Sequence, residues 1–155
     1  MIPQGKAGVI ATLKIMRDFI RTGKKSMPVR LLALDLVSDL QQKDFPGEAS
    51  SLFYFVRDRI RYVRDVENVE TLQTPDKTLQ FRAGDCDDKT ILLGALLNSI
   101  GHPVRLVAVG FSPGVFSHVY LETKIGAKWV ALETTEPQEF GWAPPNPRER
   151  LVMSV

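Results

Sequence analysis

The stretch from residue 84 to residue 101, GDCDDKTILLGALLNSIG, decides the fold of this 155-residue chain. Its acidic start is typical of a helix N terminus, and Gly101 is a typical residue after a helix end. Apolar residues surround most of the helix predicted over 85–100, and a helix that is apolar on nearly all sides is buried. Gly94 lowers helix propensity by about 1 kcal/mol relative to alanine, so we expect another element to approach its backbone closely.

The segments on either side of this helix have different periodicities. Upstream, apolar residues recur at helical spacing over about 9–23, 26–40 and 48–60, with breaks at Gly23 and at 44–47. Residues 74–76 (Thr-Pro-Asp) indicate a loop. Downstream, alternation with a period of two predicts strands over 104–110, 117–123 and 128–134. Helices followed by strands predict the α+β class, with the buried helix packed on a mainly antiparallel sheet.

Length and composition fit one globular domain over residues 1–155. We expect a core over about 48–135, a helical N-terminal extension over 1–47 and an extended, proline-rich tail over 141–155. Hydrophobic residues make up 44% of the chain, and the formal charge is +2. No apolar run approaches the roughly 20 residues of a membrane span, and no secretory segment is recognisable. The sequence therefore predicts a cytoplasmic protein with no membrane partner, and it leaves the oligomeric state open.

The charge is unevenly distributed along the chain. The first 30 residues contain seven basic residues and one acid, so this part carries +6 and the remainder −4. A basic face can meet an anionic partner, but a solvated helix surface is the preferred interpretation. Because no aromatic interleaving or nucleic-acid motif accompanies the charge, nucleic acid is not an expected partner.

Cys86 is the only cysteine, so the chain cannot form an internal disulfide, but this residue can still be a nucleophile. It lies in the first turn of the buried helix, where the helix dipole and unpaired N–H groups favour a thiolate. Three neighbouring acids disfavour it. We interpret Asp85 as the N-cap, and Asp87 and Asp88 as acids of the first helical turn. A reactive thiolate at this position needs a cation beside it, and an imidazolium is the best candidate.

The sequence has two histidines, and they stand in different contexts. His102 follows a helix end and is interpreted as structural. His118 lies in a predicted strand, and a turn centred on 125–126 places it opposite Glu133. A carboxylate there can bind one imidazole nitrogen and leave the other for the sulfur of Cys86, as in a catalytic triad. The inference depends on the register, because a shift of one residue would move Glu133 to the other face.

Three segments resemble the transglutaminase-like superfamily. The first is the nucleophile segment: GDCDD at 84–88, the apolar helix after it, and then Gly101 and Pro103-Val104-Arg105. The second is the histidine strand, HVYLE at 118–122. The third is the strand that carries the third triad residue, WVALETT at 129–135. Segments 60–65 and 75–79 are similar to its lead-in segments. The resemblance implies a papain-like fold with Cys86 as nucleophile, His118 as base and a carboxylate as third residue. The family usually has Asp-Pro-Thr where this chain has Glu133-Thr134-Thr135.

A cysteine enzyme that attacks an amide is the function this resemblance implies. The thioester would be resolved by water, as in a protease or amidase, or by an amine, as in a transglutaminase. The oxyanion would be bound by the backbone N–H of Cys86, with Gln80 or Tyr62 as a candidate second donor. A protein or peptide is the expected substrate, and no cofactor or metal is expected.

Two other functions are open at this stage. The first is a non-catalytic interaction domain on the same fold, docking through the basic N-terminal helices. The second is a calcium or magnesium site built from Asp85, Asp87 or Asp88 with His118 and Glu133.

Overall fold

A computed structural model describes residues 5–64 and 71–155. Five helices lie in the described ranges: α1 (Lys6–Gly23), α2 (Met27–Leu36), α3 (Phe45–Arg59), α4 (Pro75–Phe81) and α5 (Cys86–Ser99). The strands there are β1 (Arg61–Tyr62), β2 (Ala83–Gly84), β3 (Val104–Gly110), β4 (His118–Ile125), β5 (Lys128–Leu132) and β6 (Glu149–Ser154). The predicted α+β class is confirmed.

The main sheet has four strands in the order β5-β4-β3-β6, and every neighbouring pair is antiparallel. Alternation along β4 separates two apolar clusters, as a period of two requires. Val119 and Leu121 belong to the large core shared with α5, while Tyr120 belongs to a small cluster with Val107 and Val109 on the other face. A separate parallel pair, β1 with β2, precedes α5.

The helix α5 is the centre of the fold. It packs against β4 and against all four other helices, and its residues 91–97 are all buried. The expected close approach at Gly94 is confirmed, because a Cβ atom there would lie 2.8 Å from Cδ1 of Ile20 on α1. The segment that begins with Cys86 is therefore held on several sides by the core.

Two helix starts differ from the prediction. Residues 74–76 begin α4 instead of a loop: Thr74 is the N-cap, its hydroxyl accepts from the Lys77 N–H at 3.3 Å, and Pro75 occupies the first turn. Likewise, Asp44 caps α3 through the Gly47 N–H at 3.1 Å. Proline and small polar residues are common in turns and at helix N termini alike, which is why the pattern was ambiguous.

The expected extended tail over 141–155 contains a strand that the sequence did not predict. Its residues Glu149–Ser154 form β6, which pairs with β3 from Gly110 to Arg105. Leu151 and Met153 pack against the core. Their alternation with Arg150 and Val152 is too short, and too close to Pro147, to stand out from the proline-rich segment before it.

No helix within residues 5–64 and 71–155 combines the length and the apolar character that crossing a membrane requires.

Candidate active site

The N terminus of α5 is fixed by a reciprocal pair of hydrogen bonds. Asp85 is the N-cap, and its Oδ1 accepts from the backbone N–H of Asp88 at 3.0 Å. In return, Oδ2 of Asp88 accepts from the backbone N–H of Asp85 at 3.1 Å, and its Oδ1 accepts from Gln73 at 2.8 Å. This capping box satisfies donors that every helix start leaves unpaired. It also fixes the position of Cys86, the first helical residue.

The thiol of Cys86 is half-buried at the edge of the core. Its Sγ donates to Oδ1 of Asp87 at 3.5 Å. Burial raises the pKa of the Cys86 thiol, and the charges of Asp87 and Asp85 raise it further, against a smaller opposing effect of the Val119 backbone N–H. Burial and the acids outweigh the helix terminus, so the sulfur is a neutral thiol in this arrangement.

His118 and Glu133 form the second part of the site. The Nε2–H group of His118 donates to Oε2 of Glu133 across the β4–β5 hairpin. The expected register is wrong by two positions, because Ile125 pairs with Lys128 and the turn therefore contains Gly126 and Ala127. A shift of two keeps every side chain on its face. The two side chains thus meet as diagonal neighbours instead of directly opposed ones.

The imidazole of His118 lies between opposing influences. Burial by itself would lower its pKa, but the hydrogen bond and charge of Glu133, with a further contribution from Asp87, raise the pKa overall. The residue that follows His118, Val119, lies near the sulfur of Cys86, and its backbone N–H lowers the pKa of that thiol. The start of β4 therefore lies against the start of α5, and Asp87 acts on both the thiol and the imidazole.

A buried lysine that the sequence analysis did not identify lies behind the carboxylate. Lys89 is 2% exposed, and its Nζ donates to the backbone carbonyl of Arg57 at 3.3 Å. Burial lowers its pKa to about 8, and the charges of Glu133 and Asp58 oppose that shift. Its sequence signal is a single basic residue, three positions after Cys86, between the acidic start of α5 and its apolar stretch over 91–97.

The carboxylate of Glu133 is itself 1% exposed and firmly held. Its second oxygen, Oε1, accepts from the backbone N–H of Thr135 at 2.9 Å. The segment beyond it is tied to α3, where Arg57 donates to the Gln138 carbonyl at 2.8 Å and the Tyr54 hydroxyl donates to Glu139 at 2.6 Å. The orientation of Glu133 is thus set by its backbone neighbours and by α3.

The two candidate oxyanion donors differ in position. Tyr62 is exposed on β1, and partial burial of its ring and, second, the nearby Cys86 raise the pKa of its phenol. Gln80 is exposed on α4. The other histidine, His102, is buried and pairs through Nε2 with Glu48 at 2.8 Å, which agrees with its interpretation as structural.

The acids around α5 do not form a metal site in the described part of the chain. No group of three or more His, Cys, Asp or Glu side chains among residues 5–64 and 71–155 is arranged to hold a metal ion. Two of the acids, Asp85 and Asp88, are engaged in the capping box instead.

Comparison with known proteins identifies a family to which the sequence of this chain is similar. The sequence profile described as the transglutaminase-like superfamily matches residues 33–134. No curated protein sequence matches the chain.

Two solved structures share the fold. A proposed cysteine protease from Cytophaga hutchinsonii superposes with a TM-score of 0.58 at 16% identity, over 83% of this chain and 50% of that one. A proposed protease from Parabacteroides distasonis ATCC 8503 superposes with a TM-score of 0.67 at 14% identity, over 93% of this chain and 29% of that one. The chain therefore spans half or less of the length of both proteins.

Proposed function

This chain belongs to the transglutaminase-like superfamily, and we propose that it is a cysteine enzyme that transfers the acyl group of an amide through Cys86, His118 and Glu133. One observation carries the proposal. The buried Glu133 carboxylate binds Nε2 of His118, at the strand start that lies against the Cys86 thiol. Nucleophile, base and orienting carboxylate are the three parts of a catalytic triad.

The charge state of the site determines how the first step runs. Burial and the acids at positions 85 and 87 keep Cys86 protonated, so the thiol must lose its proton as it attacks. Glu133 occupies Nε2 of His118, which leaves Nδ1 as the nitrogen that takes this proton. The same carboxylate then stabilises the imidazolium that forms, in line with the raised pKa of His118.

The proposed reaction has two halves. In the first, the sulfur of Cys86 bonds to the amide carbonyl carbon, the carbon–nitrogen bond breaks, and His118 returns its proton to the leaving amine or ammonia. In the second, water or an amine attacks the thioester, His118 takes its proton, and the sulfur leaves and is reprotonated. Water gives a protease or amidase, and an amine gives a transglutaminase.

Negative charge on the carbonyl oxygen needs donors in the first half. The backbone N–H of Cys86 lies at the positive end of the α5 dipole and is the proposed first donor. Tyr62 and Gln80 are both exposed, and Tyr62 is the preferred side-chain candidate because it lies near Cys86.

The test is acylation by an activated ester such as p-nitrophenyl acetate. We expect a burst of one p-nitrophenol per chain, with one acetyl group found on Cys86 by mass spectrometry. The His118→Ala variant should slow the burst by about 10²–10⁴-fold, whereas His102→Ala, the matched control, should leave the rate of folded protein unchanged. A parent protein that reacts no faster than Cys86→Ala refutes the proposal. Adding a primary amine then separates transfer from hydrolysis.

A further inference from the structure

The strand β5 is followed by a loop that carries Glu133 and returns to the sheet. This Glu133 loop, residues 133–140, ends at Gly141, whose N–H donates back to the Ala131 carbonyl at 3.1 Å. One bridge of the sheet therefore fixes both ends of the loop. Because Oε1 of Glu133 accepts from the Thr135 N–H at 2.9 Å, the direction of the carboxylate depends on the path of the loop.

Two side chains of α3 hold the returning half of this loop. Arg57 donates from Nη1 to the Gln138 carbonyl at 2.8 Å. The Tyr54 hydroxyl donates to Oε2 of Glu139 at 2.6 Å and accepts from the Phe140 N–H at 3.3 Å. The guanidinium carbon of Arg57 also lies 4.6 Å from the centre of the Tyr54 ring. Since a guanidinium that stacks on a ring donates in a fixed direction, Arg57 restricts where the loop can lie.

The same turn of α3 also binds the helix that carries the nucleophile. In a longer helix the Arg61 N–H would bind the Arg57 carbonyl, but here it donates to the Arg82 carbonyl at 2.9 Å. Carbonyls of a last helical turn need other donors, and Nζ of the buried Lys89 on α5 supplies one at 3.3 Å. Arg57 therefore contacts the Glu133 loop through its side chain and α5 through its backbone.

We propose that Arg57 is a positioning residue of the acyl-transfer site, which holds the Glu133 loop against α3 and α5 so that the Glu133 carboxylate stays on Nε2 of His118. This inference rests on the proposed function of Cys86, His118 and Glu133. A glutamate side chain loses rotamer freedom when its carboxylate is held in one place. A loop whose path is fixed leaves the carboxylate fewer alternative positions.

The variant that tests this is Arg57→Met, which removes the guanidinium. Phe140 packs on Phe53 with the ring centres 5.9 Å apart, so the loop keeps an apolar anchor and the variant should fold. We expect the acylation burst to slow roughly 3–10-fold, the factor that corresponds to one hydrogen bond. The matched control is Arg59→Met, which removes the same charge from an exposed position of the same helical turn and should keep the burst within about twofold of the parent.

A titration of His118 by NMR separates positioning from loss of charge. Burial lowers the pKa of His118, and the hydrogen bond and charge of Glu133 raise it above its ordinary value. Loss of the Arg57 cation, which binds Asp58 at 2.7 Å, would by itself favour the imidazolium and raise that pKa. A carboxylate that is held less firmly raises it less. We therefore expect the midpoint to move to lower pH in Arg57→Met and to stay in Arg59→Met.

A combination with Glu133→Gln shows through which residue Arg57 acts. If it acts through Glu133, Arg57→Met should change the burst of a Glu133→Gln protein by less than about twofold, because residues that act as a unit are not additive. A general loosening of the fold would slow both backgrounds by the same factor. Arg57→Gln, whose side chain is shorter and neutral, carries the same expectations as Arg57→Met.

Several results would overturn the inference. They are a His118 midpoint that stays or rises in folded Arg57→Met, equal slowing in the two backgrounds, the same changes in Arg59→Met, or failure of both Arg57 variants to fold, since a positioning residue must be dispensable for the fold. Failure of the proposed function has a different signature: the parent reacts no faster than Cys86→Ala, whereas the His118 titration still reports whether Arg57 holds Glu133 in place.

Discussion

Replacing Glu133 by glutamine is the most informative single change at the proposed triad. The substitution keeps the shape of the side chain and removes its charge. In the parent, Oε1 accepts from the Thr135 N–H at 2.9 Å, and Oε2 receives the Nε2–H group of His118. A glutamine oxygen can replace only one of these acceptors, and the amide group must take the other position.

The loss of acylation rate in Glu133→Gln depends on whether the glutamine NH₂ group takes the place of Oε1 or of Oε2. Loss of a charge-assisted hydrogen bond costs about 1.5–3 kcal/mol, which is about 10–100-fold in the rate of a step that creates the imidazolium. If the glutamine oxygen stays with Thr135, its NH₂ group faces Nε2 of His118. The ring proton then moves to Nδ1, which can no longer accept from sulfur, and a tautomer change of this kind costs about 10⁴-fold in the serine-protease triad.

The assay is the single-turnover burst with p-nitrophenyl acetate, together with NMR of the two histidine rings. We expect Glu133→Gln to slow the burst by at least about tenfold and to shift the His118 midpoint to lower pH, since Glu133 helps to raise that pKa. Glu122→Gln is the matched control: it removes a buried carboxylate that binds Arg105 at 2.7 Å and Arg150 at 3.1 Å on the same sheet. A folded Glu133→Gln protein that acylates at the parental rate would refute the reasoning.

Three further predictions concern stability. Asp85→Ala removes half of the capping box and should lower the unfolding free energy by about 1–2 kcal/mol in urea denaturation; an unchanged midpoint would contradict this. Gly110→Ala places a Cβ atom 1.5 Å from the backbone oxygen of Val115, so we expect a loss of at least about 2 kcal/mol in the same assay, and a fully stable variant would show that the loop before His118 can move. Burial lowers the pKa of Lys89 to about 8, so the unfolded chain binds more protons between there and the usual value near 10.4. The parent should therefore gain roughly 3 kcal/mol over Lys89→Met as pH rises through that window, and a constant difference would exclude a depressed Lys89 pKa.

The alternation of residues along the strands was sufficient to predict which side chains of the site share one face of the sheet. His118 and Glu133 were expected on one face of a hairpin, and they meet there although the register differs by two positions. Faces are preserved by any even shift, whereas the turn position depends on local geometry around Gly126 that alternation does not record. The buried helix was predictable for a similar reason, since few surface helices are apolar on all sides.

The properties that depend on distant neighbours could not be predicted in this way. The positive end of the α5 dipole and three acids act on Cys86 in opposite directions, and only its burial decides in favour of the neutral thiol. Lys89 could not be chosen as a functional candidate from the sequence, because only the fold brings it near Glu133. The edge strand β6 is defined by its pairing with β3, thirty-nine or more residues away along the chain.

The central place of α5 has a consequence for how the molecule opens. Its backbone amides from Ile91 to Leu97 are enclosed by α1, α2, α3 and α4 and by the sheet. No local fluctuation can expose them without parting these layers, so their hydrogen exchange should proceed only through global unfolding. Cys86 then lies on the same helix, five residues before this slowly exchanging segment. Ligands that reach Cys86 must therefore enter along its half-exposed side, because the helix that carries it does not loosen to admit them.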